Sequence, residues 1–128
     1  MCGIIGINSK KPVSASIINS LKKLEYRGYD SAGIATLSAG SINEVKLEGR
    51  VDNLEKNSVV QNMEGTIGIG HVRWATHGLP NSINAHPHSS QNVSVVHNGI
   101  IENSTLLKKF LVSKGPVSYT HLRAHETP

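Results

Sequence analysis

The sequence predicts an α+β domain in which short apolar strands alternate with amphipathic helices. Three observations carry this expectation. Apolar runs at positions 2–7, 31–38, 66–72 and 93–97 have the length and composition of strands. Val13, Ile17, Ile18, Leu21 and Leu24 recur instead at helical spacing. Clusters of Gly, Asn, Ser and Pro separate the two kinds of segment. At 128 residues the chain is long enough for one compact core and not for two. Only 4% of its residues are aromatic against 38% hydrophobic, so that core must be aliphatic.

Taken in order, residues 2–7 read as a buried strand ending at Asn8-Ser9. Residues 12–25 read as a helix whose outer face carries Asn19, Lys22 and Lys23. A glycine-containing turn covers 26–30. Residues 31–38 and 42–48 form two strands joined through Ala39-Gly40-Ser41. Residues 52–62 are expected as one short helix with Asp52 as its cap. Residues 66–72 form a further strand, with glycines that allow close backbone approach. Residues 73–91 are polar and rich in His, Pro, Asn and Ser; a loop of that length in a small domain usually carries function. Residues 93–97 form a strand, Asn98-Gly99 a turn. Asn103 then stands as cap of a helix bearing Leu106, Leu107, Phe110 and Leu111 up to Gly115. Residues 116–128 have no periodicity and no apolar face, and read as foreign sequence or a disordered tail after a domain of residues 1–115.

Charge and cysteine usage remove several function classes. The formal net charge is +4, but the basic residues fall in isolated pairs such as Lys10-Lys11 and Lys108-Lys109. No basic stripe interleaves with stacking aromatics, so no nucleic-acid partner is expected. No run approaches the roughly 18–20 apolar residues of a membrane span. The N-terminal apolar run is too short for a signal peptide and follows no basic segment. A single cysteine forbids an internal disulfide and suits a reducing cytoplasm.

That cysteine is also the leading candidate for chemistry. Cys2 follows Met1, which is normally trimmed before a small residue, so the mature chain would begin with a thiol beside a free α-amine. An α-amine titrates close enough to neutral pH to serve as base to its own side chain. The plainer reading is a small hydrophobe opening a strand. Arg73 follows a strand and precedes Trp74; it could grip a carboxylate through its guanidinium fork, with Thr76 and His77 adding hydrogen bonds. The plainer reading is a surface arginine stacked on Trp74. Asn98-Gly99 is either a hairpin turn or a side-chain amide and a backbone N–H converging as an oxyanion hole. Five histidines, 71, 77, 86, 88 and 97, invite a metal reading, but the usual carboxylate or thiolate partners are missing nearby. They read better as loop hydrogen-bonders, with His97 buried on its strand, so no metal is expected.

Five ordered segments together are far more specific than any one. Cys-Gly-Ile-Ile-Gly-Ile at 2–7, Tyr-Arg-Gly-Tyr-Asp-Ser-Ala-Gly at 26–33, Arg-Trp-Ala-Thr-His-Gly at 73–78, Asn-Ala-His-Pro-His at 84–88 and His-Asn-Gly-Ile-Ile-Glu-Asn at 97–103 resemble one family. It is the glutaminase domain of glutamine–fructose-6-phosphate aminotransferases (isomerising), a class II amidotransferase domain with an N-terminal nucleophile. The resemblance covers residues 1–115. It implies a four-layer αββα sandwich of the N-terminal nucleophile hydrolase type, incomplete here. It implies Cys2 as nucleophile toward L-glutamine, Asn98 and Gly99 as oxyanion hole, and Arg73 on the substrate α-carboxylate with Thr76 and His77 beside it. Trp74 would belong to a closing loop that His86 supports, and Arg27 and Gly28 would position the N-terminus. No organic cofactor is implied. In the full-length family, a homo-oligomer, ammonia passes to synthase domains that convert fructose 6-phosphate to glucosamine 6-phosphate.

Two departures from the family pattern set expectations of their own. The sugar-isomerase domains are absent, and nothing in 116–128 matches the family's Thr-Asp-Thr-Glu segment, whose Asp binds the substrate α-amino group. The chain therefore reads as a truncated fragment, and the alternative to a working glutaminase is a catalytically inactive, partly folded remnant.

Overall fold

A computed structural model of the chain describes residues 2–74 and 81–115. Strand β1 spans Gly3–Asn8, helix α1 Ser14–Leu24, and a short 3-10 turn Glu25–Arg27. Strands β2 and β3 span Ser31–Ser38 and Ser41–Glu48. Helices α2 and α3 span Val51–Glu55 and Ser58–Gln61, and strand β4 spans Ile67–Arg73. Two short strands, β5 at His88–Ser90 and β6 at Val93–Val95, precede helix α4 at Ser104–Ser113.

The sheet order is β1-β4-β2-β3, with every pairing antiparallel. β5 and β6 form a separate two-stranded ribbon. Period-2 alternation then assigns each residue to a face. Gly3 pairs Val72, and Val72 pairs Ala32. These belong to the face that meets α1, α2 and α3 through Val13, Ile17, Ile18, Leu21, Val51, Leu54 and Val60. Ile4 pairs His71, and His71 pairs Gly33, which places this second row on the opposite face.

Glycines in β4 let α1 sit close to the sheet. A Cβ at Gly70 would lie 2.5 Å from Ile17, and one at Gly68 2.7 Å from the same side chain. The opposite face is covered at β2 by the chain around His86: a Cβ at Gly33 would lie 1.9 Å from the His86 carbonyl oxygen. β2 is consequently buried on both faces over Ser31–Thr36, which is why its pattern reads as a continuous apolar run rather than an alternation.

Several expectations need correction. The single helix over 52–62 is two helices, because the chain breaks at Asn57, whose side chain accepts from the N–H groups of Val59 and Val60 and restarts the helix. Asp52 lies inside the first turn of α2, not at its cap, where Arg50 stands. The polar stretch 73–91 is not all loop: Arg73 closes β4, and His88–Ser90 form β5 against Val93–Val95. Asn103 holds the cap position of α4 without a side-chain capping bond. The turn at Ala39-Gly40 is tighter than expected, with β3 beginning at Ser41 and both turn residues at positive φ, 50° and 77°. No described residue of α4 is buried. The expected tail, 116–128, lies outside the described residues.

Candidate active site

The second face of the sheet collects the polar residues of β4. Alternation puts His71 and Arg73 on it, and one further step along the β1–β4 register brings Cys2 opposite Arg73. Cys2 is half-buried there. Its Sγ accepts from the backbone N–H of Trp74 at 3.4 Å and lies 3.7 Å from the Trp74 carbonyl oxygen. The only thiol is thus held at the end of the strand pair, on the rim rather than in the core.

Asn98 arrives from the far end of the chain. Its Nδ2 donates to the Cys2 carbonyl oxygen at 3.3 Å, and its Oδ1 lies 2.8 Å from His71 Nε2. Asn98 does not take positive φ, whereas Gly99 does, at 119°. A type I′ hairpin needs positive φ at both, so the hairpin reading of Asn98-Gly99 is overturned. A Cβ at Gly99 would approach nothing closer than the His97 ring at 3.8 Å, so glycine is required there by backbone conformation.

Arg73 is buried and faces Asp30 at 4.0 Å; it is not a surface arginine. Asp30 is fixed by its own backbone, its N–H donating to the Arg73 carbonyl at 2.7 Å and its carbonyl accepting from Gly49 at 2.8 Å. Trp74 stacks elsewhere: its ring lies over Gly28, where a Cβ would fall 1.2 Å from the indole. Gly28 takes φ 112°. The indole remains half-exposed, covering the turn that leads into β2.

His71, His86 and His88 form a run of packed rings. His71 and His86 are fully buried, with ring centroids 4.5 Å apart and planes at 24°. His88 packs edge-on to His86 at 4.5 Å. His86 Nδ1 accepts from the His97 N–H at 3.3 Å. Burial, above all, drives the His71 pKa down to about 4; the Asn98 hydrogen bond opposes that shift and the Arg73 charge adds to it. Among the described residues no group of three His, Cys, Asp or Glu is placed to hold a metal ion. His97 is half-buried and lies beyond β6, not buried on it.

No family model matches the chain. It is 52% identical over 120 residues to the glutamine–fructose-6-phosphate aminotransferase (isomerizing) of Bradyrhizobium diazoefficiens, a match covering 94% of this chain and 20% of that protein. The enzyme of the same name from Clostridium acetobutylicum is 56% identical over 117 residues, with 90% and 19% covered. Among solved structures, the glutamine phosphoribosylpyrophosphate amidotransferase of B. subtilis, complexed with ADP and GMP, aligns at TM-score 0.77 and 27% identity, over 97% of this chain and 27% of that one. A second, described as the allosteric regulatory enzyme of purine biosynthesis, aligns at TM-score 0.77 and 28% identity over 92% of this chain.

The chain belongs to the glutamine amidotransferases of the N-terminal nucleophile type. It spans about a fifth of the length of the curated relatives it matches. The four-stranded sheet and its three-helix layer match part of that amidotransferase fold, and no backbone ladder joins the β5–β6 ribbon to the sheet.

Of the residues singled out from the sequence, the amidotransferase fold brings Cys2, Trp74, Gly28 and Asn98 into one neighbourhood, with Arg73 on the same sheet face and His86 behind it. Thr76, His77, the Arg27 side chain and Met1 lie outside the described residues. Sequence reasoning missed His71 and Asp30 as parts of the site. The signal for His71 was available: it stands two residues before Arg73 on a strand, hence on the same face.

Proposed function

We propose that this chain is a glutaminase unit in which Cys2 hydrolyses the side-chain amide of L-glutamine. The observation that carries the reading is the Cys2–Asn98 contact, in which an amide donor 96 positions away binds the backbone carbonyl of the cysteine that bears the thiol. With Met1 removed, the α-amine of Cys2 takes the thiol proton and Sγ attacks the amide carbon. The negative charge on the carbonyl oxygen is met by the second N–H of Asn98 Nδ2 and the backbone N–H of Gly99. The α-ammonium returns its proton to the leaving ammonia, and water then cleaves the thioester to glutamate. Arg73 holds the α-carboxylate; a guanidinium presents five N–H donors, so engagement with Asp30 is compatible with a second carboxylate. Thr76 and His77 assist it, Trp74 covers the substrate over Gly28, and Arg27 and Gly28 position the N-terminus.

In the longer protein, ammonia would pass to synthase domains that make glucosamine 6-phosphate from fructose 6-phosphate, in a cytoplasmic homo-oligomer. Residues 1–115 would be the glutaminase part. A glutamine-analogue diazoketone tests the nucleophile: it should label Cys2 in the folded chain after Met1 removal. Equal labelling rates in denaturant, or efficient labelling of chain that retains Met1, would count against the reading, since the base would then be an amide.

A further inference from the structure

We propose that His71 is a positioning residue for the oxyanion donor: its neutral imidazole, protonated on Nε2, donates to Asn98 Oδ1 and so turns the Asn98 N–H groups toward Cys2. The proposal rests on the reading of Asn98 given above.

The tautomer follows from hydrogen-bond bookkeeping. The Asn98 amide contacts an acceptor on one side, the Cys2 carbonyl at 3.3 Å, and the His71 ring on the other, at 2.8 Å. Turning the amide over would set oxygen against oxygen at Cys2. The nitrogen must therefore face Cys2 and the oxygen His71. An amide oxygen only accepts, so His71 Nε2 must carry a hydrogen. The His97 backbone lies near enough to the ring to favour its protonated form, but the other ring nitrogen, Nδ1, is buried and meets no partner at hydrogen-bonding geometry among the described residues. A proton there would be an orphaned buried donor, costlier than a bare lone pair backed by stacked rings. The burial-lowered pKa of about 4 agrees with a ring that stays neutral.

The ring is also held in place. His86 stacks on it, and His86 in turn accepts from the His97 N–H, one residue before Asn98. The buried histidines thus tie the end of β4 to the chain that carries the oxyanion donor. Without the His71 bond, the Asn98 side chain could rotate its oxygen toward the developing oxyanion, replacing attraction with repulsion.

Two measurements test this. Nitrogen-15 NMR of the histidine-labelled full chain at neutral pH should show His71 as the neutral Nε2–H tautomer; the Nδ1–H pattern or an imidazolium overturns the proposal whether or not the chain turns over. In glutamine kinetics, His71→Leu, which cannot donate, should lower kcat roughly 10- to 100-fold with KM little changed. His71→Gln, whose amide N–H can reach the same acceptor, should recover most of that loss. Equal losses in the two variants, or a change confined to KM, overturn the positioning role. If Asn98→Ala leaves kcat intact, the oxyanion reading itself fails, while the tautomer still decides the His71–Asn98 bond.

Discussion

At the scale of single residues, the roles assigned to Arg73 and Asn98 separate kinetically. Arg73→Lys keeps the charge and loses the fork. Its main effect should be a raised KM for glutamine, with a loss in kcat/KM of about 2–3 kcal/mol. Asn98→Ala should instead lower kcat by roughly 100- to 1000-fold and leave KM near its starting value. Steady-state glutaminase assays read both; identical patterns in the two variants would contradict the assignment. Trp74 offers a separate readout because it is the only tryptophan. A Cβ at Gly28 would fall inside its ring, and φ there is 112°. Gly28→Ala should therefore displace the indole and shift its emission, with a stability loss of about 1–3 kcal/mol. An unchanged spectrum would mean that Trp74 does not rest on Gly28 in solution.

At the scale of elements, the site depends on how closely the His86 segment sits on β2. Gly33→Ala would force a methyl to within 1.9 Å of the His86 carbonyl oxygen, which belongs to backbone and cannot swing aside. The segment must lift, and with it the stack on His71. We expect a stability loss of about 2–4 kcal/mol in denaturant titrations and a fall in kcat at unchanged α1–sheet packing. The α1–α2 ion pairs make a contrast. Lys22 pairs with Glu55 and, at 3.6 Å, with Asp52. All three side chains are substantially exposed and solvent screens the pairs, so Lys22→Met should leave stability nearly unchanged. A large effect from Lys22 and none from Gly33 would invert this account of what holds the domain together.

At the scale of the whole molecule, acid stability and association both follow from where groups are buried. The His71 pKa is lowered to about 4 in the fold, below the ordinary 6.5. Between these values an unfolded chain takes up a proton that the folded ring refuses. Stability should therefore fall as pH drops from about 6.5 to about 4 and lose nothing further from this ring below that, a total of about 3 kcal/mol. Unfolding titrations across that window should show a shallower pH dependence for His71→Gln. Association follows from two features. β1 is an edge strand of the four-stranded sheet. α4 leaves Leu106, Leu107, Phe110, Leu111 and Val112 each more than 40% exposed. Open edges and apolar patches promote self-association. Sedimentation should show the 128-residue chain associating as its concentration rises, and polar substitutions at Leu106 and Phe110 should reduce it; a monomer at all concentrations would refute this.

Local sequence determined the strands and α1, because period-2 and helical spacing are written in the apolar residues themselves. It also marked Cys2, Arg73, Trp74 and Asn98-Gly99, whose residue types stand out where apolar runs end. Tertiary structure decided the rest. Whether Asn98-Gly99 turns a hairpin or docks on the Cys2 backbone depends on a partner 96 positions away, which no local pattern encodes. Arg73 looked exposed beside Trp74, yet the sheet buries it against Asp30, and the indole goes to Gly28. The break at Asn57 depends on a side chain that caps better than it continues a helix, in a segment whose apolar spacing does not mark where one helix ends and the next begins. The histidines spread over 71–97 suggested loop residues one by one. Only the folding of the His86 segment onto β2 makes His71, His86 and His88 a buried stack, because burial and ring contact belong to the packed chain and not to any stretch of it.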